Sequence, residues 1–164
     1  MNTHKTIATH SGSFHADDVF GVGVLMGVFS SHTLVRTRDK ARIEAADFAV
    51  DVGGLWDAET GRFDHHQRSF TGARPAQVHD GVEKPGVGYA SAGLVWSAYG
   101  GAYVQDLAQR SGYELDARSV LEIERSIDSS LVQYLDIVDT GQGDVAPGIF
   151  GLSALIAQLN SNWM

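Results

Sequence analysis

The stretch Asp51-Val-Gly-Gly-Leu-Trp-Asp-Ala-Glu-Thr-Gly-Arg-Phe-Asp64-His65-His66 ends in three side chains that can bind a metal ion. Aspartate and histidine are costly to bury without a partner, so three of them in a row are poor core residues. Carboxylate and imidazole together suit divalent cations such as Mn²⁺, Zn²⁺ or Fe²⁺. A short run of this kind also occurs on solvated surface turns, so its interpretation depends on the rest of the chain.

Two runs of the strand type end in polar residues that could reach this site. Phe48-Ala-Val-Asp51 is apolar and ends in an acid, and Thr6-Ile-Ala-Thr-His10 is β-prone and ends in a histidine. A further strand is predicted at 33–36. Helices are predicted between the strands, over 19–29 after an N-cap at Ser13 and over 38–46.

Strands that alternate with helices over connections of this length indicate right-handed crossovers and a largely parallel sheet. We therefore predict an α/β fold, a mostly parallel sheet flanked by helices, in a single domain over residues 1–164. Ligands of open α/β sheets bind at the edge where the carboxyl ends of the strands meet. Asp51 is then expected beside His10, although an aspartate before Gly53-Gly54 also suits a turn.

The segment after the first strand adds metal-capable residues at the same edge. His15 lies in the predicted loop, and Asp17 and Asp18 lie in the first turn of the predicted helix. Each has a structural explanation, such as a hydrogen bond to the backbone. Four such residues within nine positions, His10 included, favour a metal site.

The second half of the opening stretch reads as a hairpin. Residues 58–61 have the length and the glycine of a hairpin loop, which would return the run from Asp64 to His66 to the side of Asp51. Neighbouring residues of an extended segment point to opposite faces, so His65 and His66 are not expected to bind the same ion. We predict that one is a metal ligand and the other faces substrate.

Residues that could bind an anion follow. Arg68 could grip a phosphate bidentately or be a solvated charge, and Arg74, in the predicted loop 71–87, is the only other basic residue expected near the site. A loop of that length is a candidate lid. A helix is predicted to start near Ser91, where free N–H groups could bind an anion, and to break at Gly100-Gly101.

The last long helix is predicted from an N-cap at Asp116 to Val138, with apolar residues at i, i+3 and i+4 spacing. At about 100° per residue, Asp139 lies near the edge of this apolar stripe and Asp136 points further toward solvent. Asp139 is thus the better candidate for a buried carboxylate. Asp128, in mid-helix, is expected to form a salt bridge.

The composition limits the classes of function. Of 164 residues, 43% are hydrophobic and 20% are charged, which is typical of a globular domain. No cysteine is present, so a thiolate metal site is excluded. No run is long enough for a signal peptide or a membrane span, and a cytoplasmic protein is expected. The net charge of −8 argues against broad capture of polyanions, because phosphate binding needs lysine and arginine.

The motifs, taken together, resemble those of a known group of enzymes. They are His10…His15-x-Asp17-Asp18, then Asp51, then Asp64-His65-His66, then Asp136…Asp139-Thr-Gly. This order is similar to that of the DHH phosphoesterase superfamily, which includes RecJ-type nucleases and family II pyrophosphatases. The fuller stretches at 9–18, 62–70 and 91–96 more closely resemble the melanocyte-proliferating-gene family of metal-dependent hydrolases, whose eukaryotic members are described as RNA exonucleases.

The resemblance implies phosphoester hydrolysis at a centre of two Mn²⁺ ions, with Mg²⁺, Zn²⁺ or Fe²⁺ as alternatives. The implied ligands are His10, His15, Asp17, Asp51, His65 and Asp139. Asp51 would bridge both ions. His66 would contact the phosphate or protonate the leaving group, and Asp18 and Asp64 would orient the ligand histidines.

The resemblance also implies RNA or short oligonucleotides as substrates. Superfamily members usually have an aspartate at the position of His15, and they carry a second domain that supplies much of the basic substrate grip. We expect that domain to be absent here, so that a homo-oligomer or a removed domain would have to complete the cleft. Two alternatives stay open: a non-catalytic metal- or nucleotide-binding module, and a hydrolase of a small phosphorylated metabolite.

Overall fold

A five-stranded sheet carries the fold, as seen in a computed structural model that describes residues 3–142 and 151–160. The strand order is β2-β1-β3-β5-β4, and only β4 runs antiparallel to its neighbour. The strands are β1 (Lys5–Thr9), β2 (His32–Arg36), β3 (Phe48–Val50), β4 (Trp56–Asp57) and β5 (Arg62–Phe63). The predicted α/β fold with a mostly parallel sheet is confirmed.

Two helices connect strands of the sheet, and four more follow its last strand in the described part of the chain. They are α1 (Ala16–Val28), α2 (Lys40–Ala45), α3 (Ser91–Arg110), α4 (Ala117–Ile127), α5 (Gln133–Asp139) and α6 (Leu152–Gln158). A π-helical segment, Asp128–Val132, joins α4 to α5. None of the helices within the described ranges is long and apolar enough to cross a membrane.

The register of the parallel strands places three polar residues side by side. Thr9 pairs with Val50, and Val50 pairs with Phe63. The residues that follow these three strand ends are therefore neighbours at one edge: His10, Asp51 and Asp64. This is the edge at which the sequence predicted a ligand site.

The core lies between the sheet and the pair α1 and α3. Ile7, Val50 and Phe63 of the sheet are fully buried against helix residues such as Leu25 and Val95. A Cβ at Gly21 would lie 2.9 Å from the Cγ1 atom of Val50, so glycine allows α1 to approach the sheet closely. The other face of the sheet is covered by α2, whose Ile43 packs against Ala49 and Val52.

The N-cap of the first helix lies two residues later than predicted, although the helix itself begins at Ala16, before the predicted range 19–29. Its N-cap is His15 rather than Ser13, and the Asp18 carboxylate accepts a hydrogen bond from the His15 N–H at 2.7 Å. This back-bonding satisfies the backbone donor of the N-cap, which fixes the helix start three residues before Asp18. By contrast, Asp116 caps α4 as predicted and accepts from the Ser119 N–H at 2.7 Å.

Gly100 and Gly101 do not break a helix, as the sequence had suggested, but lie inside α3. A Cβ at Gly101 would lie 3.2 Å from the Glu124 carboxylate of α4, so the glycines serve close helix packing instead.

The predicted loop 71–87 contains two short strands, β6 (Gln77–His79) and β7 (Val82–Lys84). Their turn residues Asp80 and Gly81 both have positive φ, 52° and 75°, which a two-residue hairpin turn requires. The Asp-Gly pair is a sequence signal for this hairpin.

Candidate metal centre

The carboxylates and imidazoles at the sheet edge form three overlapping groups. Each group offers ligand atoms that lie within 4.8 Å of one another. The groups are Asp51, Asp64, His65 and His66; His10, His15 and Asp51; and Asp17, His65 and Asp139. All six predicted ligands occur in them, and Asp51 and His65 each belong to two groups.

Asp51 holds the central position under backbone strain. Its φ of 55° lies in the left-handed region, which is uncommon outside glycine but which aspartate tolerates better than most residues. The Asp51 N–H donates to the Phe63 carbonyl at 2.9 Å, which holds this turn against β5. The local geometry therefore aims a carboxylate between the strand ends.

The donors fit a divalent cation. The Nε2 atom of His10 is buried and makes no hydrogen bond within the described ranges, although carboxylate oxygens of Asp18 and Asp51 lie 3.3 and 3.5 Å away. Burial, together with the charges of Asp139 and Asp51, raises the pKa of Asp17 well above its usual value. A cation would relieve both the unpaired nitrogen and the buried negative charge.

Burial also raises the pKa of Asp51, with Asp139 adding to the effect and the charges of His66 and His65 opposing it. For His65, burial lowers the pKa, but the hydrogen bond to Asp139 and the surrounding carboxylate charges outweigh it and raise the pKa. The site thus favours positive charge at its centre.

The two adjacent histidines lie on the same side of the chain. Their ring centroids are 4.2 Å apart, and both Nδ1 atoms approach the Asp51 Oδ1 atom, at 3.7 Å from His65 and 3.4 Å from His66. The expected opposite orientation does not occur, because β5 ends at Phe63 and the run that follows is not an extended strand. The side chain of His66 is 61% exposed, whereas that of His65 is 11% exposed.

Asp64 and Asp18 both hold segments that carry histidines. Asp64 accepts hydrogen bonds from the N–H groups of Gly54 and His66 and from the His66 ring at 2.8 Å. Burial opposes ionisation of Asp64, but these hydrogen bonds prevail and lower its pKa. Asp18 bonds the His15 backbone and lies beside the His10 ring.

Ser91 does not offer the free N–H groups that its predicted anion-binding role assumed. Its N–H donates to Asp17 at 3.2 Å, and the N–H of Ala92 donates to the same carboxylate at 2.6 Å. The N–H of Gly93 donates to Asp136 at 3.0 Å. The start of α3 is therefore occupied by two carboxylates of the protein, and Ser91 itself is fully buried.

Asp136 is fully buried and does not point toward solvent as predicted, whereas Asp139 is only half-buried. The π-helical segment between α4 and α5 explains the error, because a wider turn changes the phase of every later residue relative to a continuous α-helix. Asp139 still reaches the centre, with its Oδ2 atom 3.1 Å from the Nε2 atom of His65.

Two arginines follow the run Asp64-His65-His66 (the DHH run), and they differ in whether they could bind a substrate. Arg68, two residues after His66 in the chain, is exposed. Arg74 is buried and bonds Asp128 bidentately and Asp136 at 2.7 Å, while its guanidinium lies 4.6 Å from the centre of the Tyr89 ring. The predicted salt bridge of Asp128 is confirmed, and Arg74 is not free to hold a substrate.

A cavity of about 470 Å³ opens beside the centre. His65, His66 and Asp139 line it on the side of the centre, together with the aromatic rings of Phe70 and Tyr89. None of the described residues that line it is a lysine or an arginine. The cavity can therefore take the uncharged part of a ligand more readily than a run of phosphates.

Sequence comparison agrees with the motif analysis. Residues 6–164 match the family MYG1_exonuc, described as "Uncharacterised protein family (UPF0160)". The chain is 34% identical to "MYG1 protein C27H6.8" of Caenorhabditis elegans, covering 96% of this chain and 46% of that protein. It is 32% identical to the human "MYG1 exonuclease", covering 96% of this chain and 43% of that protein.

The chain thus spans less than half of the length of these relatives. No solved structure gives a significant match. Because the family match covers almost the whole chain and includes the residues at the sheet edge, this protein belongs to the MYG1 family (UPF0160).

Proposed function

We propose that the chain is the catalytic part of a divalent-metal-dependent phosphoester hydrolase that acts as an exonuclease on RNA or short oligonucleotides. The observation that carries the proposal is the sharing of Asp51 and His65 among three groups of ligand atoms next to an open cavity. Relatives named "MYG1 exonuclease" support the nuclease class.

In this proposal the ligand groups divide between two neighbouring ions. His10, His15 and Asp51 hold one, and Asp17, Asp51, His65 and Asp139 hold the other. Two such cations, Mn²⁺ as proposed or Mg²⁺, Zn²⁺ or Fe²⁺ as alternatives, would activate a water molecule and polarise the phosphoryl group. Asp51 would bridge the two ions, and its membership in two of the three ligand groups supports this role.

His66 is proposed to act on the substrate. Asp64 accepts from its Nδ1 atom, which keeps the ring in place and leaves Nε2 to hold or deliver a proton. Since His66 is the more exposed of the two histidines and lines the cavity, it can reach the leaving oxygen.

The surroundings of the cavity favour a short substrate. Its described lining offers aromatic rings and no lysine or arginine, and the exposed Arg68 follows His66 by two residues in the chain. We propose that one nucleoside enters the cavity with its phosphate at the metals. A longer polyanion would need basic residues from a second domain or from another copy of the chain.

A non-catalytic metal- or nucleotide-binding module is the second candidate, and the scarcity of cations around the cavity favours it. Hydrolysis of a small phosphorylated metabolite is a third, which the same observation allows. All three functions share the metal centre and differ in turnover and in substrate.

The test is hydrolysis of a dinucleotide, a longer oligoribonucleotide and a simple phosphomonoester by the purified chain with Mn²⁺. We expect turnover of the dinucleotide, retention of metal but loss of turnover in His66→Ala, and loss of metal in His65→Ala. His4→Ala is the matched control, because His4 is exposed and its ring bonds Ser31 and Thr33 beside the start of β2.

Full metal loading without hydrolysis of any substrate would favour the binding module. If His66→Ala emptied the site and His65→Ala did not, the two roles would be reversed.

A further inference from the structure

Ser91 contacts three of the six proposed ligands although it is remote from them in sequence. Its N–H donates to Asp17, and its hydroxyl Oγ atom lies 3.1 Å from the Asp51 Oδ1 atom and 3.0 Å from the His65 Nδ1 atom. The side chain has no exposure to solvent. A hydroxyl in this position can orient two of the ligands at once.

The number of protons fixes the direction of these hydrogen bonds. A serine hydroxyl has one proton and two lone pairs, and an ionised carboxylate can only accept. The Ser91 proton therefore goes to Asp51, and the Ser91 oxygen must accept from His65. For that bond to form, the Nδ1 atom of His65 must carry a hydrogen.

The other neighbours of Nδ1 favour the same arrangement. Carboxylate oxygens of Asp51 and Asp17 lie 3.7 and 3.9 Å from it, so its polar neighbours in the described part of the chain are oxygens that can accept a hydrogen bond. In a neutral imidazole with its hydrogen on Nδ1, the Nε2 atom keeps a free lone pair.

The Nε2 atom of His65 lies 3.1 Å from the Asp139 Oδ2 atom. Two ligand atoms that bind one cation at right angles, with bonds of about 2.1 Å, are about 3 Å apart. The free lone pair of His65 would therefore be on Nε2, the nitrogen that faces the proposed ligand Asp139.

We propose that Ser91 is a positioning residue that holds the hydrogen of His65 on Nδ1 and so presents Nε2 to a divalent cation. The inference rests on the proposed metal centre and assigns Ser91 a role different from substrate binding. It links the start of α3 to metal affinity, because the residue that begins the helix also orients the ligands.

The test uses Zn²⁺ alone as the probe metal, with histidine labelled by ¹⁵N. In the wild-type chain we expect Zn²⁺ to shift the Nε2 resonance of His65, while Nδ1 keeps its hydrogen. In Ser91→Ala we expect the affinity for one of the two ions to fall by about 10- to 100-fold, which is the usual effect of removing a residue that orients a ligand.

Ser97→Ala is the matched control, because Ser97 lies on the same helix and its hydroxyl donates to the Leu94 carbonyl at 2.9 Å, away from the ligands. It should bind Zn²⁺ as the wild type does. Coordination of Zn²⁺ through Nδ1 of His65 in the wild type overturns the inference, and this measurement needs no variant. So does an unchanged affinity in a folded Ser91→Ala.

Substrate binding by Ser91 would instead raise KM for the dinucleotide and leave the Zn²⁺ affinity unchanged. A chain that binds Zn²⁺ through Nε2 but hydrolyses nothing refutes the proposed function and leaves this inference standing. A wild-type chain that binds no Zn²⁺ refutes both.

Discussion

Asp51 combines three unfavourable properties in one residue: positive φ, burial, and neighbouring acids. Strained residues of this kind persist where the surrounding structure fixes them, and they concentrate at functional sites. The Asp51 carboxylate is 3% exposed, yet it is within reach of the rings of His10, His65 and His66. Its position is explained by cation binding better than by stability.

Asp51→Asn is expected to separate these two effects. The amide keeps the shape and tolerates the same φ, but it removes a buried charge, so the chain in chelator should be no less stable than the wild type. Stabilisation by metal should be lost, which for an ion at 100 times its Kd is about 2.7 kcal/mol. Thermal unfolding with chelator and with Mn²⁺ measures both. An undiminished metal shift in this variant would contradict a central role for Asp51.

At the scale of elements, Arg74 connects the loop beside the cavity to the π-helical segment and to α5. It donates to Asp128 in the π-helical segment and to Asp136 in α5, and Asp136 in turn accepts from the Gly93 N–H of α3. Burial raises the pKa of Asp136 to about 6, against the opposing effect of Arg74. The guanidinium is thus the counterion that keeps a buried carboxylate ionised beside the metal centre.

Arg74→Met is therefore expected to lower the free energy of unfolding by about 3–5 kcal/mol, because it leaves two acids without their partner. Arg68→Met is the control, since an exposed arginine should change stability by no more than about 0.5 kcal/mol. Urea denaturation in chelator measures both. Adding Asp136→Asn to Arg74→Met should recover part of the lost stability. If Arg74→Met and Arg68→Met changed the free energy of unfolding equally, Arg74 would not be the counterion of Asp128 and Asp136.

At the scale of the whole molecule, the metal-free chain carries an excess of groups that hold protons in the folded state. The pKa is raised by burial for Asp17, Asp51 and Asp136, and by carboxylate contacts for His65. The pKa values of Asp47, Asp57, Asp64 and Asp116 are lowered instead, and these groups change stability only below about pH 4.

We therefore expect the stability of the metal-free chain to fall as pH rises. Each raised group contributes stability that is present below its pKa in the unfolded chain and is lost as pH rises through its pKa in the folded chain. For Asp136 this loss runs from about pH 4 to about pH 6, and for His65 it lies above about pH 6.5. Thermal unfolding in chelator from pH 5 to pH 8 tests this. With saturating Mn²⁺ the trend should weaken or reverse, because protons compete with the metal for the same ligands. A rise in stability with pH in chelator would contradict the sign.

The net charge of −8 sets the response to nucleic acids of different length. The proposed metals could neutralise only the phosphate that would react, and longer strands need further cations, so oligonucleotides should bind weakly and lose affinity steeply with added salt. Hydrolysis should be best on substrates of one or two nucleotides. Binding isotherms at several salt concentrations measure this, and tight binding of a long RNA at physiological salt by the isolated chain would overturn it.

Local sequence pattern was sufficient for β1, β2 and β3 and for the residues at their carboxyl ends, but not for β6 and β7. Short apolar runs that end at His10 and Asp51 predicted strands, because alternation and β-propensity act over a few residues. Parallel order followed from the helices between the strands, and parallel strands bring their carboxyl ends to one edge. The juxtaposition of His10, Asp51 and the DHH run was therefore predictable.

The burial of Asp136, the pairing of Arg74 and the hydroxyl contacts of Ser91 were not predictable in this way. Arg74 and Asp136 are 62 positions apart, and Ser91 is 26 positions from His65. Such contacts depend on how α3 and α5 pack, and one π-helical turn between α4 and α5 changes which acid faces inward. The periodicity of a sequence predicts which residues share a face within one regular helix. Which buried charges contact each other depends on how the helices pack against one another.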